Sequence, residues 1–250
     1  GRESLQSAWS KWKFDNCKIL NIDFRYHTLY IVMQYTDGVY LEVIDFTPKK
    51  KETTLDYLLY LDRKYYVTNG VYDDETDTTS FTLPYDIEDE DTFKVVNNKG
   101  FEVRYTQDFV GVITVKGEHP DDLIIGHTFK SVWIPPTIYV RIAQGGAVKV
   151  MEGTLMLRDI NLAYSESGHF EVIVTPKYTT QITSTFKFTG KITGLPSATL
   201  GTTPVASGSF LIPIISKSDE ITISVENESY LPSCYLSMEW IGDYVQRGGK

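Results

Sequence analysis

Leu29-Tyr30-Ile31-Val32-Met33-Gln34-Tyr35, then Thr36-Asp37-Gly38, then Val39-Tyr40-Leu41-Glu42-Val43-Ile44-Asp45-Phe46, reads as a β-hairpin. Two runs rich in β-branched and aromatic residues flank Asp-Gly, and a type I′ turn needs positive φ at both central positions. In the second run Tyr40, Glu42 and Ile44 fall on one face, and Val39, Leu41, Val43 and Asp45 on the other. Upstream, residues 9–14 and 19–24 read as two further short strands. Four antiparallel strands in about forty residues match one propeller blade. No second copy of the pattern is visible, so sibling blades are expected outside these residues. The first residue is Gly1 and not methionine, which suggests a fragment, a processed product or a tagged chain.

The rest of the chain keeps this β character. Six alanines stand against 33 aromatic residues in 250, and alanine favours helix while aromatics favour strands. Residues 55–61 are apolar enough for a short helix, but the tyrosines that follow and the Asn69-Gly70 turn favour strand. Strands are expected at 80–83, 92–96, 101–106 and 110–116. Beyond residue 123 they are expected at 127–134, 138–143, 153–164, 168–175, 183–189, 208–215, 220–227 and 235–244. Pro135-Pro136, Gly145-Gly146, the stretch 196–204 and residues 216–219 separate them. Short strands with such turns indicate antiparallel sandwiches. The expected organisation is all-β: a blade-like repeat over 1–47, a small barrel-like module with acidic loops over 48–122, and a β-sandwich over 123–250.

Net charge is -9, which argues against a polybasic binder of nucleic acid or anionic membrane. Nine acids (Asp73, Asp74, Glu75, Asp77, Asp86, Glu88, Asp89, Glu90 and Asp91) lie between Val71 and Phe93 with no lysine or arginine among them. The 86–91 cluster lacks the DxDxDG order of a calcium loop, so the plain reading is a solvated, self-repelling loop. Cys17 and Cys234 cannot make a disulfide scaffold and are expected as reduced, buried thiols. His27, His119, His127 and His169 lack metal-ligand spacing. No GxSxG, P-loop, GxGxxG or HExxH string occurs, and no cofactor is expected. Asn227-Glu228-Ser229 is formally a glycosylation sequon. Trp133, Trp240 and nearby tyrosines are either core aromatics or a sugar-binding platform.

The last third carries ordered strings: Gly153-Thr154-Leu155-Met156-Leu157-Arg158-Asp159, Tyr164-Ser165-Glu166-Ser167-Gly168-His169-Phe170, Ser207-Gly208-Ser209-Phe210-Leu211-Ile212-Pro213 and Met238-Glu239-Trp240-Ile241-Gly242-Asp243-Tyr244. Together with Ala8-Trp9-Ser10-Lys11-Trp12, Leu29-Tyr30-Ile31-Val32, Leu41-Glu42-Val43 and Leu61-Asp62, they resemble the C-terminal portion of the tail tubular B, or nozzle, proteins of short-tailed bacteriophages. The resemblance implies a structural virion component and no enzyme. It implies a homo-hexameric tube in the phage tail that contacts an adaptor or gatekeeper ring and the tail fibres, meets the host outer envelope, and opens or closes the path of the viral DNA.

A conduit for DNA should repel phosphate, because lysine and arginine along its wall would hold the duplex by counterion release. The nine acids are therefore the candidates for channel-facing loops. Two other readings fit an acidic, aromatic, all-β chain: a carbohydrate-binding adhesion module, and a tail-associated polysaccharide hydrolase with a facing carboxylate pair.

Overall fold

A computed structural model describes residues 10–14, 16–47, 52, 55–87, 89–144, 147–150, 153–177, 183–189 and 203–246. Every helix or strand assigned among them is a β-strand. The chain opens with β1 (Lys18–Arg25), β2 (Thr28–Gln34) and β3 (Val39–Asp45), an antiparallel meander in the order β1-β2-β3. Tyr40 and Glu42 are half-buried while Val39, Leu41 and Val43 stay exposed, the face assignment expected from alternation. The turn differs from expectation. Gln34 pairs with Val39, and Tyr35 N–H closes a four-residue loop on the Gly38 carbonyl at 2.8 Å. Asp37 keeps negative φ because its carboxylate is held by the Tyr40 hydroxyl at 2.8 Å and by Asp86 N–H at 3.1 Å. Tertiary bonding here overrides the local turn preference. Residues 10–14 form no strand, so the described residues of this region hold three strands and not four; Trp12 instead stacks on Phe46 at 5.6 Å.

The middle of the chain builds two open sheets. Its strands are β4 (Asp62–Val67), β5 (Val71–Asp73), β6 (Thr78–Thr82), β7 (Phe93–Val96), β8 (Tyr105–Phe109), β9 (Val112–Lys116) and β10 (Leu123–His127). They order as β4-β10-β7 and β5-β6-β9-β8, and neither sheet closes into a barrel. Between them lies a core of Phe81, Phe93, Val95, Ile113, Leu123 and Ile125, each no more than 1% exposed. The opposite face of the three-stranded sheet is covered too, because Val96 and Ile124 pack with Leu55, Tyr57, Leu59 and Leu61. Residues 55–61 thus bury alternate side chains as a strand would, yet join no ladder. Leu59 N–H bonds the Glu52 carboxylate at 2.9 Å, and Tyr60 N–H bonds the Tyr230 carbonyl at 2.8 Å. Likewise the strand expected from residue 101 begins only at Tyr105. Asn97 Oδ1 captures the N–H groups of Lys99 and Phe101, each at 3.0 Å, and so diverts them from a ladder.

The C-terminal part is a two-sheet sandwich. Its strands are β11 (Ser131–Trp133), β12 (Arg141–Gln144), β13 (Ala147–Val150), β14 (Gly153–Ser167), β15 (His169–Pro176), β16 (Ser184–Thr189), β17 (Ala206–Lys217), β18 (Ile221–Asn227) and β19 (Cys234–Gln246). Sheet β11-β18-β15-β16 faces sheet β17-β14-β19, and β12-β13 is a separate hairpin. Phe170, Val172, Val225, Leu157, Ile160, Leu162 and Ile212 are all within 1% of full burial. In β14 the inward positions step from Leu157 to Ile160, because a bulge leaves both Arg158 and Asp159 out of the core.

The modules are stitched together at Gly100. Its carbonyl accepts the Thr203 hydroxyl at 2.5 Å and the Tyr230 hydroxyl at 3.3 Å. With φ at +82° and the Tyr57 hydroxyl standing where a Cβ would have to go, a larger residue is strained and crowded there.

Glu52 supplies a testable pH dependence. It is 7% exposed and its carboxylate accepts from Lys64 Nζ at 2.5 Å, from Leu59 N–H and from the Tyr66 hydroxyl. Burial alone would raise its pKa, but these three donors outweigh burial and hold it below 4.5. A carboxyl with a lowered folded pKa stabilises above its unfolded value, and that contribution is lost as pH falls through the folded value. Glu52→Gln should therefore lower the unfolding free energy by about 1–3 kcal/mol at pH 7. The gap to the parent should narrow in urea titrations below pH 4.5.

Candidate functional site

The acids expected to act together occupy two places. Asp73, Asp74, Glu75 and Asp77 form the exposed tip of the β5–β6 hairpin. Asp73 shapes this tip: one carboxylate oxygen accepts Glu75 N–H at 3.0 Å and the other accepts the Thr76 hydroxyl at 2.9 Å. Asp77 turns the chain with φ at +52°, a left-handed conformation that Asp tolerates better than most residues. Its side chain accepts the Tyr72 hydroxyl at 3.0 Å, and its carbonyl accepts Gly117 N–H at 2.8 Å. The Tyr72 phenol is raised by that hydrogen bond and further by the charges of Asp77, Glu118 and Asp73. Glu118 therefore belongs to this cluster. The sequence window 71–93 leaves it out because it arrives from the far end of β9.

Asp86, Asp89, Glu90 and Asp91 lie in the β6–β7 connection; Glu88 falls outside the described residues. Leu83 N–H bonds the Gly111 carbonyl at 2.8 Å, which fixes the start of this connection at the β8–β9 turn. The β5–β6 tip sits at the other end of β6, beside Gly117. A five-residue strand, roughly 16 Å long, thus separates the two acidic groups. The two acidic loops expected from the sequence thus lie at opposite ends of β6. Asp89 also caps its own loop: its side chain accepts Asp91 N–H at 3.0 Å and its carbonyl accepts Phe93 N–H at 3.1 Å.

Next to Asp86 the N-terminal sheet docks onto the middle of the chain. The Arg63 guanidinium carbon lies 4.1 Å from the ring centroids of both Tyr35 and Tyr85, and 4.9 Å from that of Tyr40. Arg63 Nε is 3.3 Å from the Glu42 carboxylate, and the arginine side chain is only 8% exposed. Burial would raise the Asp37 pKa, but Asp86 N–H, the Tyr40 hydroxyl and the Arg63 charge together hold it below its ordinary value. Nothing in the local sequence around Arg63 marks this role, because its partners are distant in the chain.

The remaining candidates resolve individually. Neither Cys17 nor Cys234 is in a disulfide, but Cys234 is exposed and Cys17, its Sγ 3.8 Å from Met33 Sδ, is half-buried, so the expectation of two buried thiols fails. Both sit at strand ends, where the sheets no longer cover them. No group of three His, Cys, Asp or Glu side chains among the described residues could hold a metal ion. Asn227 of the sequon is 2% exposed; its amide donates to the Leu231 carbonyl at 2.9 Å and the Ser233 hydroxyl at 3.0 Å. It serves as a loop clamp. Trp133 and Trp240 both line one open side of the sandwich.

Two comparisons bear on these features. A curated relative, the tail tubular protein gp12 of Escherichia phage T7, is 23% identical over 98% of this chain. The chain spans about a third (32%) of that relative's length. The family model described as bacteriophage nozzle protein matches residues 1–250, end to end. This chain, whose described residues form open all-β sheets, belongs to the bacteriophage nozzle protein family.

Proposed function

We propose that this chain is a structural segment of the tube in a phage tail, contributing to the wall through which viral DNA leaves. The observation that carries this reading is the nozzle family match across residues 1–250. The surface supports an assembly role. Val39, Leu41 and Val43 are 53–62% exposed in a row on one face of β3, and contiguous exposed apolar residues mark protein contacts. The tube is a homo-hexamer, closed by a heterologous contact repeated around the ring. It contacts an adaptor or gatekeeper ring, tail fibres and the host envelope. Of the two acidic groups, the β5–β6 tip is assigned to the lumen. Its four acids are exposed and their side-chain hydrogen bonds stay within the hairpin, with one backbone tie to Gly117, whereas the 86–91 loop is tied to the N-terminal sheet.

Native mass determination and negative-stain imaging of the chain and of tails containing it test the reading. A six-fold ring on the tail axis is the expected result. A monomer absent from that axis would overturn it. Within the ring, changing Asp73, Asp74, Glu75 and Asp77 to lysine should slow DNA ejection at low salt, with recovery as salt screens the wall. A second reading, a sugar-binding adhesion module, is favoured by one observation, the aromatic cleft.

A further inference from the structure

We propose that the open side of the C-terminal sandwich is a binding groove for an acidic saccharide, with sugar rings seated on Trp133, Tyr139 and Trp240 and the acid group held by Arg141. The groove lies where edge strand β11 of one sheet approaches edge strand β19 of the other, with residues 135–139 running past it. Its volume is about 650 Å³, within the range of small-ligand sites.

The rings that line it belong to the core faces of their strands. Trp240 pairs with buried Ile160 in register, and Trp133 pairs with buried Val225. Directly opposed residues share a face, so both indoles point toward the sandwich interior. At this side the interior is uncovered: each tryptophan keeps 39% of its surface open and Tyr139 keeps 50%. Trp133 is held by a stacked Tyr235, with centroids 6.1 Å apart and planes 19° apart. The groove is therefore a prearranged aromatic floor. Trp and Tyr offer a broad apolar surface with a polar handle, which suits the apolar face and hydroxyl rim of a sugar ring.

Charge selects the sugar class. The chain carries -9 overall, yet none of the twelve lining residues is acidic, and Arg141 is the one charged side chain among them. Arg141 makes no ion pair among the described residues. A guanidinium fork matches a carboxylate or phosphate with two parallel hydrogen bonds. Thr137, Ser237 and Tyr139 supply hydroxyls for the neutral part of the ligand. None of the described residues lining the groove carries a carboxylate for the two-carboxylate chemistry of glycoside hydrolysis, so the role proposed for the groove is binding. The assignment does not rest on the hexameric tube, and either reading can fail alone.

The test is titration of the full chain with tetramers of galacturonic acid and with their methyl esters, followed by tryptophan fluorescence and calorimetry. Saturable binding of the acid form is expected, weakening as salt rises. Arg141→Gln, at an exposed position, should weaken the acid form about tenfold and leave the methyl ester within about twofold. Tyr139→Ala should weaken both forms. Absence of saturable binding at millimolar ligand overturns the proposal, as does equal affinity of the parent and Arg141→Gln for the acid form. A fluorescence change that follows protein concentration and self-association in sedimentation, with no response to sugar, assigns the groove to a second copy and also overturns it.

Discussion

Replacing Phe170 by alanine should cost about 3–5 kcal/mol of unfolding free energy, among the largest effects of any single change in the sandwich. Phe170 is fully buried at the centre of an aromatic cluster. Its ring lies 4.6 Å from Phe188 in a stacked pair, 5.5 Å from Tyr164, 5.6 Å from Phe210 and 5.5 Å from Tyr235, the last three edge-on. These neighbours come from β14, β16, β17 and β19, so one side chain joins both sheets. Alanine would leave a cavity walled by four large rings that cannot collapse together without leaving their strands. Phe170→Leu fills most of the space and should cost less than half as much. Chemical denaturation of the two variants measures both values. Equal losses would mean that the ring geometry adds nothing to volume.

The sandwich is the part most legible in the sequence. Each of β14, β15, β17, β18 and β19 falls within a few residues of its expected span, because alternation and turn residues agree there. The bulge after Leu157 is invisible to that reading, since Arg158-Asp159 looks like one polar position too many in an ordinary strand. Where long-range bonds compete with local pattern, the sequence misleads. Residues 55–61 alternate as a strand but spend their N–H groups on Glu52 and Tyr230. Residues 128–130 interrupt an expected strand at 127–134, and Thr128 N–H goes to the Thr92 carbonyl at 2.8 Å. The expected two-residue turn at Asp37-Gly38 yields to a carboxylate shared between Tyr40 and Asp86.

The exposed acids of the β5–β6 tip are readable because adjacent charges in a short hairpin have nowhere to go but solvent. Their separation from the 86–91 acids is readable too, since the strand expected at 80–83 lies between the groups; what the structure adds is the partner at each end of β6, Gly117 at one and Gly111 at the other. Leu123, Ile124 and Ile125 read as a generic apolar run. Only the sheet order explains it: β10 is central and covered on both faces, so alternation is lost.

Arg63→Met should also cost about 3–5 kcal/mol, and here the cause is electrostatic. The substitution keeps an unbranched apolar stem and retains the left-handed backbone (φ +50°), so it removes the charge with little change of strain. Two favourable contributions disappear: the cation among Tyr35, Tyr40 and Tyr85, and the partner of Glu42, whose side chain is 24% exposed. Glu42→Gln in the Arg63→Met background should then recover at least about 1 kcal/mol, because it removes the stranded charge. The pH dependence separates the two contributions. Burial already holds the Glu42 carboxyl above its ordinary value of 4.5 despite Arg63, and loss of the arginine lifts it further. A carboxyl whose folded pKa is raised stabilises fully below its unfolded value and loses that contribution as pH rises through the folded value. The Arg63→Met deficit should therefore be greatest at neutral pH and shrink as the solution is acidified toward 4.5. With Glu42→Gln added, the residual deficit should be nearly flat across that window, leaving the aromatic contribution alone. Purely additive substitutions with no pH dependence would mean that Arg63 holds the N-terminal sheet by packing and not by charge.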